Sequence, residues 1–305
     1  MHYIIFDLEW NNAYNYSSSK FMNEIIEIGA VKLDESLEIV DTFKTLVIPQ
    51  YTKKLSSRCK RITKITNEEI KENGIGFHEA FRDFARWSGS SDNVFMSWSN
   101  SDLYVLANNF IENTGSPAIK FIRYYCDAQK YCMSFIHREP GEANNQISLA
   151  HCAEMFDIEV DTEALHRALA DCYVTAECLR KVYDREKLER YIKPCDKHFF
   201  ERLFFKPFYI TQPLYGRFDV YDVPVKCPRC GAEMPTPKTY EVQNKSFKGA
   251  TTCPECTKSY WVFIRAKKLY DDIAVKTTYV EMNSKKARRM RRNDGKLPKS
   301  GQRKS

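Results

Sequence analysis

The sequence predicts an α/β fold, a mixed sheet flanked by helices, followed by a small β-rich module built around cysteines. Three observations predict it. Strand-like segments come first and helical segments alternate with strands later, the pattern of a layered α/β domain. Four of the eleven cysteines form two Cys-x-x-Cys pairs toward the C-terminal end. A chain of 305 residues with 43% hydrophobic content has enough apolar side chain for one large core and one small one.

Taken in order, residues 3–9, 25–33 and 39–48 read as three strands with turn chemistry at Asp34-Glu35-Ser36, hence an antiparallel meander. Residues 67–87 carry Ile70, Phe77, Phe81 and Phe84 at helical spacing, with Thr66 as N-cap and Glu69 completing a capping box. A short strand over 93–98 and a helix over 102–112 follow, then a buried-looking strand over 119–126 and helices near 127–136, 148–156 and 168–183. After Lys187 comes a helical stretch to 205, then Pro207 and Pro213, then β-rich sequence around the four cysteines. The expected organisation is a first domain over 1–185, a helical and extended connector over 186–222, a cysteine module over 223–282, and a basic tail over 283–305. That tail carries ten Lys or Arg against one Asp, which leaves the rest of a +7 chain close to −2. With almost no apolar residues it cannot offset the entropy of ordering and is expected to be disordered.

The first residues, Met1-His2-Tyr3-Ile4-Ile5-Phe6, lack a basic n-region and a long apolar stretch. No uncharged apolar run approaches the roughly 18 residues that span a bilayer. The expectation is a cytoplasmic protein without a membrane partner. In that compartment Cys59, Cys126, Cys132, Cys152, Cys172, Cys178 and Cys195, scattered among apolar neighbours, read as buried inert thiols.

Acidic residues raise the first functional question. Asp7 and Glu9 stand two apart on a strand, so both carboxylates project to one face while Phe6 and Leu8 take the other. Such a pair is costly without a positive partner, and a divalent metal is one; taken alone, Asp-x-Glu is more often a solvent-facing strand with routine acids. Asp102 follows a strand and enters the next helix, where ligand-binding side chains collect and where an acid also simply favours the helix dipole. His166 and Asp171 are five residues apart, about 140° on an ideal helix, so they address one site only if His166 lies on the turn entering the helix. A surface aspartate is the other reading of Asp171.

Together these segments resemble the DEDDh family of 3′-to-5′ exonucleases, the DnaQ-like or RNase T group, over roughly residues 1–183. The motifs are Phe6-Asp7-Leu8-Glu9, Trp98-Ser99-Asn100-Ser101-Asp102-Leu103 and His166-Arg167-Ala168-Leu169-Ala170-Asp171 with Thr175-Ala176 after it. Glu24-Ile25-Ile26-Glu27-Ile28-Gly29-Ala30-Val31 matches the family's second strand, and Ile62-Thr63-Lys64-Ile65-Thr66 its loop at the terminal nucleotide. Ser99 and Lys64 stand where the family usually has glycine. The resemblance implies an RNase H-like fold and two Mg²⁺ or Mn²⁺ ions held by Asp7, Glu9, Asp102 and Asp171. It further implies His166 as general base, and Leu8, Thr63, Lys64, Thr66 and Trp98 as substrate contacts. The implied substrate is a single-stranded 3′ end of RNA or DNA, released as nucleoside monophosphates. Glu27 is read as structural.

Cys227-Pro228-Arg229-Cys230 and Cys253-Pro254-Glu255-Cys256, separated by 22 residues, look like a zinc ribbon holding one structural Zn²⁺. Around them lie Arg229, Lys238, Lys245, Lys248, Lys258, Tyr260, Trp261, Phe263, Arg265, Lys267 and Lys268. Two readings stand: a surface that stacks bases and pairs phosphates, or a ribbon core with a solvated lysine edge. The basic tail adds salt-sensitive affinity for a polyanion, or contacts a ribosome or polymerase. A catalytically silent nucleic-acid-binding protein and a polymerase- or ribosome-associated adaptor are the alternatives to an enzyme.

Overall fold

The structure is a computed structural model that describes residues 1–17, 19–89, 92–116, 119–137, 146–161, 166–283 and 286. The basic tail expected from 283 onward, apart from Asn283 and Lys286, lies outside the described residues. Two compact units are present, Met1–Phe204 and Phe205–Ser305. Among the described residues no helix is long and apolar enough to cross a membrane.

The first unit opens with β1 (Tyr3–Asn15), β2 (Lys20–Leu33) and β3 (Ile39–Val47), an antiparallel meander whose first two strands run well past the lengths the apolar pattern predicts. A register shift between Glu9 and Trp10 bends this hairpin. Next come α1 (Ser57–Thr63) and α2 (Asn67–Asn73), then β4 (Gly74–Ile75) and α3 (Phe77–Ser88). The single helix expected over 67–87 is therefore broken: Gly74 and Ile75 leave the helical path to pair in parallel with Leu46 and Val47 of β3. The capping box forms only in part. Thr66 caps α2 by accepting from the Glu69 amide, while the Glu69 carboxylate turns to Arg167.

The remaining elements are β5 (Val94–Ser97), α4 (Asn100–Thr114), β6 (Tyr124–Asp127), α5 (Ala128–Met133), α6 (Leu149–Met155), α7 (Ala168–Lys181), α8 (Arg185–Tyr191), β7 (Lys193–Pro194) and α9 (Lys197–Phe204). The strand expected over 119–126 is short, because Ile119 and Ile122 are buried against the core from turns rather than from the sheet. The sheet order is β4-β3-β2-β1-β5-β6-β7, with β5 and β6 parallel to β1 and β7 antiparallel, a mixed sheet.

Strand alternation divides the core in two. Ile4, Phe6 and Leu8 of β1 pack with Phe84 of α3, Leu106 of α4 and Phe200 of α9. Tyr3 and Ile5 pack on the opposite face with Tyr131 of α5, Cys152 of α6, Leu179 of α7 and Leu188 of α8. Six of the seven scattered cysteines are buried, and Cys195 is half-buried.

The second unit contains β8 (Phe208–Ile210), β9 (Leu214–Tyr215), β10 (Phe218–Asp219), β11 (Glu241–Gln243), β12 (Ser246–Thr252), β13 (Ser259–Lys268) and β14 (Ile273–Glu281). Strands β11-β12-β13-β14 form an antiparallel sheet, and β8 pairs with the end of β13. Tyr260, Val262, Ile264 and Ala266 of β13 build its core with Phe247 and Val220. The stretch 186–222, expected as a connector, is divided between the units, with α8, β7 and α9 in the first and β8, β9 and β10 in the second.

Candidate active site

Asp7 and Glu9 leave β1 on the face opposite Phe6 and Leu8, toward α7. The approach of α7 depends on one glycine. Gly29 stands opposite Asp7 in β2, and a Cβ on it would overlap the backbone of Ala168 and Leu169. Only a residue without a side chain lets the first turn of α7 lie on the sheet there.

Asp102 lies in the first turn of α4, behind the N-cap Ser99, and is buried. Its Oδ1 accepts from the Leu8 amide at 3.3 Å, which ties the helix to β1 between the two strand carboxylates. Asp171 sits in the first turn of α7 and accepts from the His166 amide at 3.4 Å. His166 is exposed on the turn before the helix, with φ of 68°. Ligand atoms of Glu9, His166 and Asp171 lie within 4.8 Å of one another.

The carboxyls perturb one another. Burial, then the charges of Asp102, Asp171, Glu9 and Glu27, hold the Asp7 carboxyl well above the usual range. Burial, then Asp171, Glu27 and Asp102, push Glu9 up to about 9. Burial likewise raises Asp102, against hydrogen bonds from the Leu8 and Asp102 amides, and Asp171, against the His166 amide. All four shifts have the sign that burial and neighbouring like charge give, and added positive charge would oppose them. Hard oxygen donors in that state fit hard divalent cations such as Mg²⁺ or Mn²⁺.

A residue that sequence reasoning left as structural organises the rim. Glu27, fully buried on β2, accepts from Arg167 Nη2 at 2.7 Å, from Arg167 Nε at 3.2 Å and from the Ala168 amide at 3.0 Å. Arg167 Nη2 also donates to Glu69 Oε1 on α2 at 2.9 Å. One guanidinium thus joins the His166 turn to the sheet and to α2. Nothing local in the sequence signals a contact between residues 27 and 167.

The expected substrate contacts are placed unevenly. Leu8 is in the core and offers the site its amide. Thr63 is buried, with its hydroxyl donating to the Cys59 carbonyl and accepting from the Ile65 amide. Lys64 caps α1 with φ of 58°, a left-handed position that favours glycine. Thr66 is spent on its helix cap, and Trp98 donates from Nε1 to the Ile147 carbonyl at 3.3 Å. A groove of about 330 Å³ runs beside Glu9, with Trp10, Ile62 and Thr63 on its walls and Arg58 as a cation that sequence reasoning missed. Arg58 falls in α1, a helix too short to show in the apolar pattern.

In the second unit, Sγ atoms of Cys227, Cys230, Cys253 and Cys256 lie within 4.8 Å of one another. Two matching turns gather them. The Gly231 amide donates to the Cys227 carbonyl at 2.9 Å, and the Thr257 amide to the Cys253 carbonyl at 3.1 Å. Gly231 and Thr257 hold the equivalent left-handed positions, with φ of 74° and 57°. The Cys227–Cys256 and Cys230–Cys253 sulfur separations are 3.5 and 3.6 Å, far longer than a disulfide bond. Four soft sulfur donors at such separations fit a tetrahedral Zn²⁺ ion.

A family model described as an exonuclease, RNase T, matches residues 4–179. A probable 3′-5′ exonuclease, KapD, of Bacillus subtilis (strain 168) is 36% identical over 98 residues, which are 32% of this chain and 47% of that protein. The chain therefore spans about half the length of KapD. DNA polymerase III subunit epsilon of Aquifex aeolicus (strain VF5) is 28% identical over 193 residues, 60% of this chain and 80% of that one. Among solved structures, the nuclease domain of 3′hExo, a DEDDh family member bound to rAMP, has a TM-score of 0.50 at 20% identity, covering 64% of this chain and 96% of that one. Cell-death related nuclease 4 has a TM-score of 0.50 at 21% identity, covering 59% and 62%. These two likenesses concern the fold.

Proposed function

Because this chain belongs to the RNase T family of exonucleases, we propose that it is a metal-dependent 3′-to-5′ exonuclease acting on single-stranded RNA or DNA ends and releasing nucleoside monophosphates. The observation that carries the reading is the convergence of Asp7, Glu9, Asp102 and Asp171, whose carboxyls are all held above their ordinary range. Asp7, Glu9, Asp102 and Asp171 are the residues that hold two Mg²⁺ or Mn²⁺ ions. Such a pair, when bound, supplies the positive charge that offsets charge growing on the scissile phosphate.

The chain's own groups do the rest. His166, exposed beside Glu9 and Asp171, accepts the proton of the attacking water at an imidazole nitrogen. Asp171 fixes the backbone of that histidine through its amide. Arg58 and Thr63 line the groove beside Glu9 in which this reading places the terminal nucleotide, and Leu8, Lys64, Thr66 and Trp98 are its further substrate contacts by family resemblance. In the second unit, Cys227, Cys230, Cys253 and Cys256 hold one structural zinc ion that stabilises a module with a small core. A cytoplasmic setting belongs to the same reading, since clustered free thiols persist where cysteine stays reduced.

The test is incubation of purified protein with Mg²⁺ or Mn²⁺ and 5′-labelled single-stranded RNA and DNA, resolved on a sequencing gel. The expected result is a ladder shortening from the 3′ end, absent for Asp7→Asn and slowed about 10²-fold for His166→Ala. Undiminished cleavage by Asp7→Asn overturns the assignment, and binding without shortening by the wild type favours a silent binding protein.

A further inference from the structure

Strand β13 separates its residues into two sets. Tyr260, Val262, Ile264 and Ala266 point into the core of the second unit, and the Tyr260 hydroxyl reaches Cys227 Sγ. Trp261, Phe263, Arg265 and Lys267 point the other way, and neither aromatic belongs to that core. The sequence grouped Tyr260 with Trp261 and Phe263; the structure places Tyr260 with the cysteines and puts Tyr209 of β8, paired with Lys267, on the aromatic face instead.

This face has two unusual properties. The Lys245 ammonium, the Arg265 guanidinium and the Lys267 ammonium stand 5.4, 5.6 and 5.8 Å from the centre of the single Tyr209 ring. Three like charges around one ring repel one another, and an anion between them relieves that repulsion. Beside them Lys248 lies over Trp261 at 4.5 Å and over Phe263 at 6.0 Å. Trp261 and Phe263 are two residues apart on one face, so the rings follow each other at about 7 Å along the strand. Lys276 adds a further cation opposite Arg265; among the described residues of these strands Glu241, opposite Lys248, is the acid on this face, and Glu281 of β14 stands opposite Tyr260 and pairs with Lys258. A notch of about 400 Å³ between Phe263, Arg265 and Lys276 also presents Gln243, Asn244 and Ser246.

We infer that this outward sheet face binds single-stranded nucleic acid, with bases stacked on Trp261 and Phe263 and backbone phosphate held among Lys245, Arg265 and Lys267. Stacking on aromatic rings beside a cationic track is tolerant of sequence and sensitive to salt. Lys248, on a flexible stem, leaves the rings to pair with phosphate when a base takes its place. The choice of a nucleic acid as occupant rests on the exonuclease reading; the cationic and aromatic chemistry of the face does not.

The test uses the full chain as wild type, Trp261→Ala/Phe263→Ala and, with no aromatic removed, Lys248→Gln/Lys267→Gln. Binding of labelled single-stranded 20-mers is measured by anisotropy in Ca²⁺, and hydrolysis in Mg²⁺ is followed on the same 20-mers and on a nitrophenyl ester of thymidine 5′-monophosphate. The expected result is at least tenfold weaker 20-mer binding for both variants, a shallower salt dependence for the lysine variant, and unchanged turnover of the ester. Retained zinc content verifies that the second unit is folded. Wild-type 20-mer affinity in both folded variants overturns the inference. Should the wild type hydrolyse neither substrate, the exonuclease reading fails while the binding comparison still decides this one.

Discussion

Removing the Arg167 guanidinium is the perturbation with the most readable consequences. It donates to Glu27, whose side chain is 0% exposed, and its own side chain is 25% exposed. Arg167→Ala leaves a buried carboxylate with the Ala168 amide at 3.0 Å and the half-exposed Lys44 ammonium at 3.6 Å. Breaking a buried ion pair on one side costs about 3–5 kcal/mol, and the partial exposure of Arg167 with the help of Lys44 sets the expectation near 3. For a unit of the size of Met1–Phe204 that corresponds to a fall in Tm of about 6–12 °C. The turn that holds His166 at φ of 68° also loses its anchor to β2 and α2. Displacing a reacting group by an ångström costs about 10²-fold in rate, so single-turnover cleavage is expected to fall by about that much at a temperature where the variant is folded. Scanning calorimetry and rapid-quench cleavage read the two effects separately. In the double variant Glu27→Leu/Arg167→Leu most of the stability returns, because no buried charge is stranded, whereas the rate does not. An Arg167→Ala protein that melts within a degree of the wild type and cleaves at its rate would refute the argument.

Gly29→Ala forces the α7 backbone away from β2 and is expected to cost about 1–3 kcal/mol and most of the activity, measured by urea unfolding and cleavage; a neutral substitution contradicts the close approach. Glu9, raised from its ordinary 4.5 to about 9, keeps its proton in the folded metal-free chain where the unfolded chain has lost it. Metal-free stability therefore falls as pH rises through that window, and Mg²⁺, which replaces the proton, is expected to raise Tm more at about pH 8.5 than at about pH 6. Equal Mg²⁺ shifts at both pH values would count against a metal site at these carboxyls. Zinc analysis of purified protein is expected to find one ion per chain, and Cys253→Ser to lose it together with amide-exchange protection in β12 and β13; protection retained without zinc argues against a structural ion.

Much of this arrangement was legible before any coordinates. The meander showed because three strand-like runs follow one another with turn chemistry at Asp34-Glu35-Ser36 between the last two, and the 140° separation of His166 and Asp171 required the histidine to sit outside the helix, on the turn where it lies. What escaped depends on long-range contacts. Apolar spacing from Ile70 to Phe84 is continuous, yet pairing of Gly74 and Ile75 with β3 interrupts the helix. Glu27 meets Arg167 across 140 residues, and no local pattern encodes that. The left-handed backbone at Lys64, a position that favours glycine, comes from its place as the cap of α1, a helix too short to show in the apolar pattern. Cys227, Cys230, Cys253 and Cys256 were legible because each pair is local and needs only a hairpin to meet its counterpart.

The parity of β13 also restricts how this protein can change through evolution. Alternate residues of one strand serve the cysteine-bearing core and the solvent-facing aromatic row, and β12 and β14 are registered to it over most of its length. Loss or gain of a single codon within 259–268 would carry Trp261 and Phe263 inward and turn the residues that support the cysteines out to water. Point substitutions can tune either face independently, whereas length changes here survive only in steps of two residues or as a bulge that restores the frame. Related chains are therefore expected to differ in the 244–245 and 269–272 turns before they differ in the length of this strand.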